Sequence, residues 1–320
     1  MPKSFISASK KLIPLGLGVF LIYYSLSTIT VGQRILIWSY IKQAQPLPIL
    51  ISIIFGALSH ISRAYRWKFM LKPLGYNPSF INLTSAVLVN YLSNLGIPRS
   101  GDVLRVTVIS AYEKIPFSKG LGTVISERVI DLVMMMLLVI SAIYAGGDWV
   151  REQLGDSSFL LVNIGVFVGL VVTIMAFPFL INTKRFPYLA RIKNFFLNIF
   201  QGIVSIRLIP NALAFWTHTA FIWLMYILMF WVIQFSLPEA ALLSPQVTLV
   251  AFVAGGLSVI VTNGGIGLYP IAVAAVLSHY GIPYEMALAY GWIAWSTQTL
   301  MILIFGGLSF ALLPVFNRKK

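Results

Sequence analysis

Six stretches of this chain, 12–31, 47–65, 129–146, 159–181, 213–235 and 288–313, are apolar almost without interruption. Each is close to the ~20 residues that an α-helix needs to cross a bilayer. In hydrocarbon every backbone N–H and C=O must be bonded within its own segment, so such runs can only become helices. Charge supports this reading: 10% of residues are charged and 58% hydrophobic, whereas soluble domains carry about a quarter charged residues. The expected fold is all-α and integral to the membrane, with six spanning helices. The first run does not resemble a cleaved signal peptide, because the bulky GQRILIWSY follows it in place of a small-residue cleavage site.

The net charge of +14 is the usual mark of a nucleic-acid partner, but here the 23 Lys and Arg residues sit at the ends of apolar runs. That distribution suits anionic lipid headgroups and the positive-inside bias instead. Lys3, Lys10 and Lys11 place the N-terminus in the cytoplasm, and Arg318, Lys319 and Lys320 the C-terminus. The cluster Arg63, Arg66, Lys68, Lys72 and the connection holding Lys184, Arg185, Arg191, Lys193 and Arg207 fall on the same side. Within that connection Leu189, Ile192, Phe196, Ile199 and Ile203 recur at helical spacing. They predict a helix over 186–206 lying in the cytoplasmic interface. The cation-poor stretches 31–46, 147–158 and 236–246 fall outside, in a multi-pass protein of the cytoplasmic membrane.

Parity then constrains what remains. Segment 80–128 must start and end inside, and 247–285 must start and end outside. Both are apolar stretches broken in the middle, by NYLSNLGIPRSGDVLR (90–105) and VIVTNGGIGLYP (259–270). Two re-entrant or broken hairpins fit their lengths, with turns at Pro98 and Gly101 and at Asn263, Gly264, Gly265 and Gly267. The segments match each other: Ile115-Pro116 with Ile282-Pro283, and Ser110-Ala111-Tyr112 with Ser278-His279-Tyr280. The chain reads as a single membrane domain, 1–320, whose halves 1–146 and 159–313 form an inverted-topology repeat.

The polar residues of the first half hold most of the chemistry. PRSGDVLR supplies Arg99, Asp102 and Arg105, and SERVID supplies Glu127, Arg128 and Asp131. Glu127 and Asp131 are four apart and share a helical face, at the predicted start of a span. An acid one turn into an apolar run is costly and usually paired, with Arg99, Arg105 or Arg128 as candidate partners. Positive-inside topology accounts for the lysines. It accounts less well for arginines flanking a membrane-dipping turn, and arginine's planar fork binds phosphate oxygens in bidentate fashion. A lipid phosphate is the ligand expected there. The chain has no cysteine, and His60, His218 and His279 share no metal spacing, so neither a metal nor a cofactor is expected. No P-loop, dinucleotide fingerprint or nucleophile elbow occurs.

At these residues the chain resembles the lysylphosphatidylglycerol synthase transmembrane, flippase-like family. The resemblance rests on Arg63, Arg66 and Trp67; on Pro98, Gly101, Asp102 and Arg105; on Glu127, Arg128 and Asp131; and on Gly264, Gly265 and Gly267. Two positions depart from the family pattern: Asp102 stands where Glu is frequent, and Pro270 where a Glu often follows the last glycine. The resemblance implies a module that translocates or binds an anionic phospholipid or isoprenoid-phosphate-linked lipid, without the soluble synthase domain. Arg63, Arg66, Arg99, Asp102, Arg105, Glu127, Arg128 and Asp131 are its candidate substrate-binding residues. Two rivals stand beside it. One is a membrane-embedded lipid-phosphate transferase using Asp102, Glu127 or Asp131 as base. The other is an accessory scaffold for envelope-biosynthesis enzymes such as a glycosyltransferase complex.

Overall fold

The computed structural model describes residues 30–97, 100–154, 190–237 and 243–318, and among them every regular element is helical. The predicted spans 12–31 and 159–181 lie almost wholly outside these residues, as do Pro98 and Arg99. Among the described residues, four helices are long and apolar enough to cross a membrane: Pro46–Leu74, Phe117–Gly146, Ala212–Ser236 and Tyr284–Phe316, counting their 3₁₀ extensions. This is a multi-pass membrane protein. In chain order the α-helices are α1 (Val31–Gln43), α2 (Pro46–Leu71), α3 (Phe80–Gly96), α4 (Ser100–Glu113) and α5 (Phe117–Leu154). They continue with α6 (Ala190–Val204), α7 (Ala212–Trp231), α8 (Pro245–Val261), α9 (Leu268–His279) and α10 (Tyr284–Phe316).

Both broken segments are helical hairpins. α3 and α4, of 17 and 14 residues, follow closely in the chain and pack against each other. α8 and α9, of 17 and 12 residues, do so across Asn263–Gly265. At ~1.5 Å per residue these limbs are about 18–26 Å long, short of the ~30 Å hydrocarbon core. Each hairpin follows a long helix (α2, α7) and leads into another (α5, α10). The matched prolines stand at equivalent places, Pro116 immediately before α5 and Pro283 immediately before α10. The layout long helix, hairpin, long helix therefore occurs twice.

Some boundaries differ from those the sequence suggests. Stretch 31–46 is not a simple loop: Val31–Gln43 is a helix, its start held by the reciprocal capping of Thr30 and Gln33. The predicted span 129–146 begins much earlier, at Phe117. Lys119, Gly120, Thr123 and Ser126 mask its hydropathy, but Thr123 and Ser126 bond helix carbonyls or a neighbouring helix and so cost little in an apolar setting. The expected interfacial helix is α6. Its buried side, centred on Ile199, crosses α5 where Gly122 and Gly202 leave room for backbone contact, the Gly202 side 2.7 Å from the Gly122 Cα once a Cβ is placed there. α6 is thus docked on a long helix.

Two buried apolar clusters correspond to the two halves. One collects Trp67, Leu83, Ile109, Val124 and their neighbours from α2 to α5, joined by Ile209 and Phe215. The other collects Ile233, Val250, Val273, Tyr290 and theirs from α7 to α10, joined by Ile37 and Val139. The halves pack along α2 against α7 and α3 against α10, and they also touch near the hairpin turns. A Cβ on Gly264 would lie 3.3 Å from Leu95 near the end of α3, and Gly256 of α8 faces Met135 of α5.

Candidate functional site

Three helices bring seven charged side chains together. On α2, Arg63 and Arg66 are three apart and share a face, with Trp67 alongside. On α5, Glu127 and Asp131 are four apart and face them. α4 brings Asp102 in its first turn and Arg105 one turn later. Glu127 is at the centre. Arg105 grips it in bidentate fashion, Nη1 to Oε1 at 2.9 Å and Nη2 to Oε2 at 3.0 Å. Arg63 donates to Oε1 from the other side, and Arg66 lies 3.4 Å away. Asp131 accepts from Arg63 at 2.6 Å and from Arg66 at 2.8 Å. Arg66, Arg105 and Glu127 are fully buried, and Arg63 nearly so.

The local sequence explains why these arginines tolerate burial. The Arg105 guanidinium lies 3.8 Å from the centre of the Trp67 ring, a cation–π contact in a desolvated place. The Trp67 indole N–H donates to Thr123 at 2.9 Å, which fixes the ring. Arg66 reaches the Thr219 hydroxyl on α7, and Arg63 the Tyr226 hydroxyl at 3.3 Å. Tyr226 in turn shares a 2.8 Å hydrogen bond with Tyr91 of α3. Gly101 allows α4 to lie against α3, since a Cβ there would collide with the Asn90 carbonyl oxygen.

Arg128 is different. It holds Asp102 through Nε at 3.1–3.2 Å and Nη2 at 2.6 Å, and touches Asp131 at 3.3 Å. This pair is open, Arg128 being 34% and Asp102 27% exposed, beside the turn of the first hairpin. The cluster as a whole has four arginines against three carboxylates, one positive charge in excess. The Nε–H donors of Arg63, Arg66 and Arg105 have no acceptor.

The expected site residues thus divide. Arg63, Arg66, Arg105, Glu127 and Asp131 form a closed inner network. Asp102 and Arg128 form its open edge, and Arg99 lies outside the described residues. Glu127 and Asp131 do not open a span: α5 begins at Phe117, so Glu127 is almost three turns inside it. Asp131 finds its partners in Arg63, Arg66 and Arg128, not in Arg105, which Glu127 takes. Arg63 and Arg66, expected as cations of the cytoplasmic side, are buried members of α2. The sequence reading missed Tyr91, Thr219 and Tyr226, which look locally like any tyrosine or threonine of an apolar helix. Gly264, Gly265 and Gly267 all have positive φ (63°, 78° and 74°) and form the second turn. The Trp295 indole N–H closes that turn by donating to the Gly264 carbonyl at 2.8 Å. Pro270 sits in the first turn of α9, where no helical N–H is lost, and its backbone packs on Gly291.

A family model described as the lysylphosphatidylglycerol synthase TM region matches residues 11–306. The chain is 33% identical over 107 residues to a UPF0104 membrane protein of Methanocaldococcus jannaschii, covering 32% of this chain and 30% of that protein. It is 28% identical over 153 residues to a UPF0104 membrane protein of Pyrococcus horikoshii, covering 45% and 44%. It is 31% identical over 96 residues to a protein named glycosyltransferase AglD from Haloferax volcanii, covering 30% and 15%. The matches therefore span less than half the length of each of these relatives. No solved structure matches the chain.

Proposed function

The chain belongs to the lysylphosphatidylglycerol synthase TM family, and from that premise we propose that it binds the phosphate of an anionic membrane lipid at Arg128 and translocates that lipid within or across the bilayer. The observation that carries the proposal is the open Arg128–Asp102 pair at the edge of a buried network with one arginine in excess. A carboxylate gripped by an arginine fork in the membrane is an internal stand-in for a phosphate oxygen, because both offer paired acceptors to the same planar donors. Exchange of Asp102 for a lipid phosphate keeps the guanidinium paired throughout, and the displaced carboxylate, 27% exposed at the open edge, takes up water or a proton there. The inner arginines add a positive field and unspent N–H donors, which favour an anion over a zwitterion. The turn of the second hairpin, on the end of the first, borders the path. The doubled layout supports an inverted repeat, with both termini in the cytoplasm and alternating access between the halves.

The test is native mass spectrometry of the purified chain with bound phosphatidylglycerol and phosphatidylcholine. Wild type is expected to retain phosphatidylglycerol preferentially, and Arg128→Gln to lose most of that preference. A second reading, an accessory scaffold for a glycosyltransferase, is favoured by the match to AglD. It makes lipid retention indifferent to Arg128. Equal phosphatidylglycerol retention by the variant would decide against phosphate binding at this pair.

A further inference from the structure

A cavity of about 270 Å³ lies between α2, α3 and α10, away from the open ion pair. Ala57, His60, Thr84, Leu88, Leu308 and Phe316 help to line it. Its walls are almost entirely hydrocarbon, yet both ring nitrogens of His60 and the hydroxyl of Thr84 are buried there with no hydrogen-bond partner. His60 is 2% exposed. Buried polar atoms are nearly always bonded, and each one left alone costs about 1–3 kcal/mol. A pure packing position would hold leucine and valine. The cavity also adjoins the charged network. The His60 ring lies 4.3 Å from the Tyr91 ring, whose hydroxyl reaches Arg63 through Tyr226.

We infer that this groove seats one hydrocarbon chain of a membrane glycerolipid, with the oxygen at the head of that chain taking the unspent donors of His60 and Thr84. A neutral imidazole and a threonine hydroxyl can each donate and accept; the head of a lipid chain offers acceptors, its ester or ether oxygens, and these meet the N–H and O–H of the two groups. The volume is just under the ~300–1,000 Å³ of small-molecule sites. It takes a length of chain and its linking oxygen, not a whole headgroup. The inference rests on the reading that the protein binds lipid, but it concerns the chain and not the phosphate.

The full-length protein in phosphatidylcholine vesicles, doped with phosphatidylcholine bearing a photoactivatable diazirine near the head of the chain, provides the test. The zwitterionic probe leaves the phosphate preference at Arg128 out of the measurement, and diester and diether probes compared side by side identify the linking oxygen. Crosslinks are expected to concentrate on 57–61, 84–88 and 305–316. His60→Leu with Thr84→Val is expected to reduce them several-fold, while the melting temperature without lipid holds or rises because unpaired polar atoms are gone. Leu308→Trp, which fills the groove and leaves both polar groups in place, is expected to do the same to the crosslinks. Labelling spread evenly over all lipid-facing helices, or unchanged in both variants, would overturn the inference even if Arg128→Gln abolishes phosphatidylglycerol preference. Groove labelling that persists in Arg128→Gln supports it independently of the phosphate site.

Discussion

Glu127 illustrates how one side chain organises the inner network. Three guanidiniums, from Arg63, Arg66 and Arg105, converge on it in a fully buried place. Removing one member of a buried ion pair costs about 3–5 kcal/mol, because the charge left behind is uncompensated. Glu127→Gln keeps the shape and deletes the charge, so a large fall in melting temperature in detergent is expected. Arg128→Gln, at the open edge, is expected to lower it far less, since exposed pairs contribute about 0–1 kcal/mol. Similar falls in the two variants would show that the inner and outer pairs are not distinct. The spacings 63/66 and 127/131 were legible in the sequence as shared helical faces. Which face met which was not, because Glu127 lies 61 or more residues from its α2 partners and charge counting placed Arg63 and Arg66 only on the cytoplasmic side. A cation that pairs inside the membrane carries the same letter as one that faces lipid headgroups.

The hairpins were the most legible elements. Asn-Gly-Gly and Pro-Arg-Ser-Gly interrupt apolar runs, and interruption at membrane depth requires a turn that protein covers. Leu95 covers the second turn, and Trp295 bonds its carbonyl. Less legible was α5, whose first three turns are polar enough by composition to look like a loop; their hydroxyls are satisfied only once the helix and α6 exist. Gly264, at φ 63° and facing Leu95, permits a specific substitution test. A β-branched side chain in the left-handed region costs about 1–3 kcal/mol, and here it also crowds Leu95. Gly264→Val is expected to lower the melting temperature and to impair lipid movement in reconstituted vesicles. Gly307→Ala, where a Cβ meets nothing within 4 Å, is expected to change neither. A Gly264→Val protein that melts and moves lipid like wild type would show that the turn is not constrained by its contacts.

At the scale of the whole molecule, the two halves share a layout but not a charge distribution. The first half carries the buried ion network, and the second carries the glycine turn and an apolar core. Orientation follows from the lysines and arginines at the run ends, and the absence of cysteine makes it directly measurable. Asn194→Cys is expected to be protected from an impermeant thiol reagent in intact cells, and Ser244→Cys to react; the reverse pattern would remove the proposed orientation. The most direct test of the central claim compares the two partners of the open pair. If Asp102 is an internal competitor for the phosphate, Asp102→Asn frees Arg128, and phosphatidylglycerol retained in native mass spectra should rise above wild type, whereas Arg128→Gln should lower it. A pair that serves only to hold α4 against α5 makes the two variants alike. Equal loss, or no change, in both would contradict phosphate binding at Arg128.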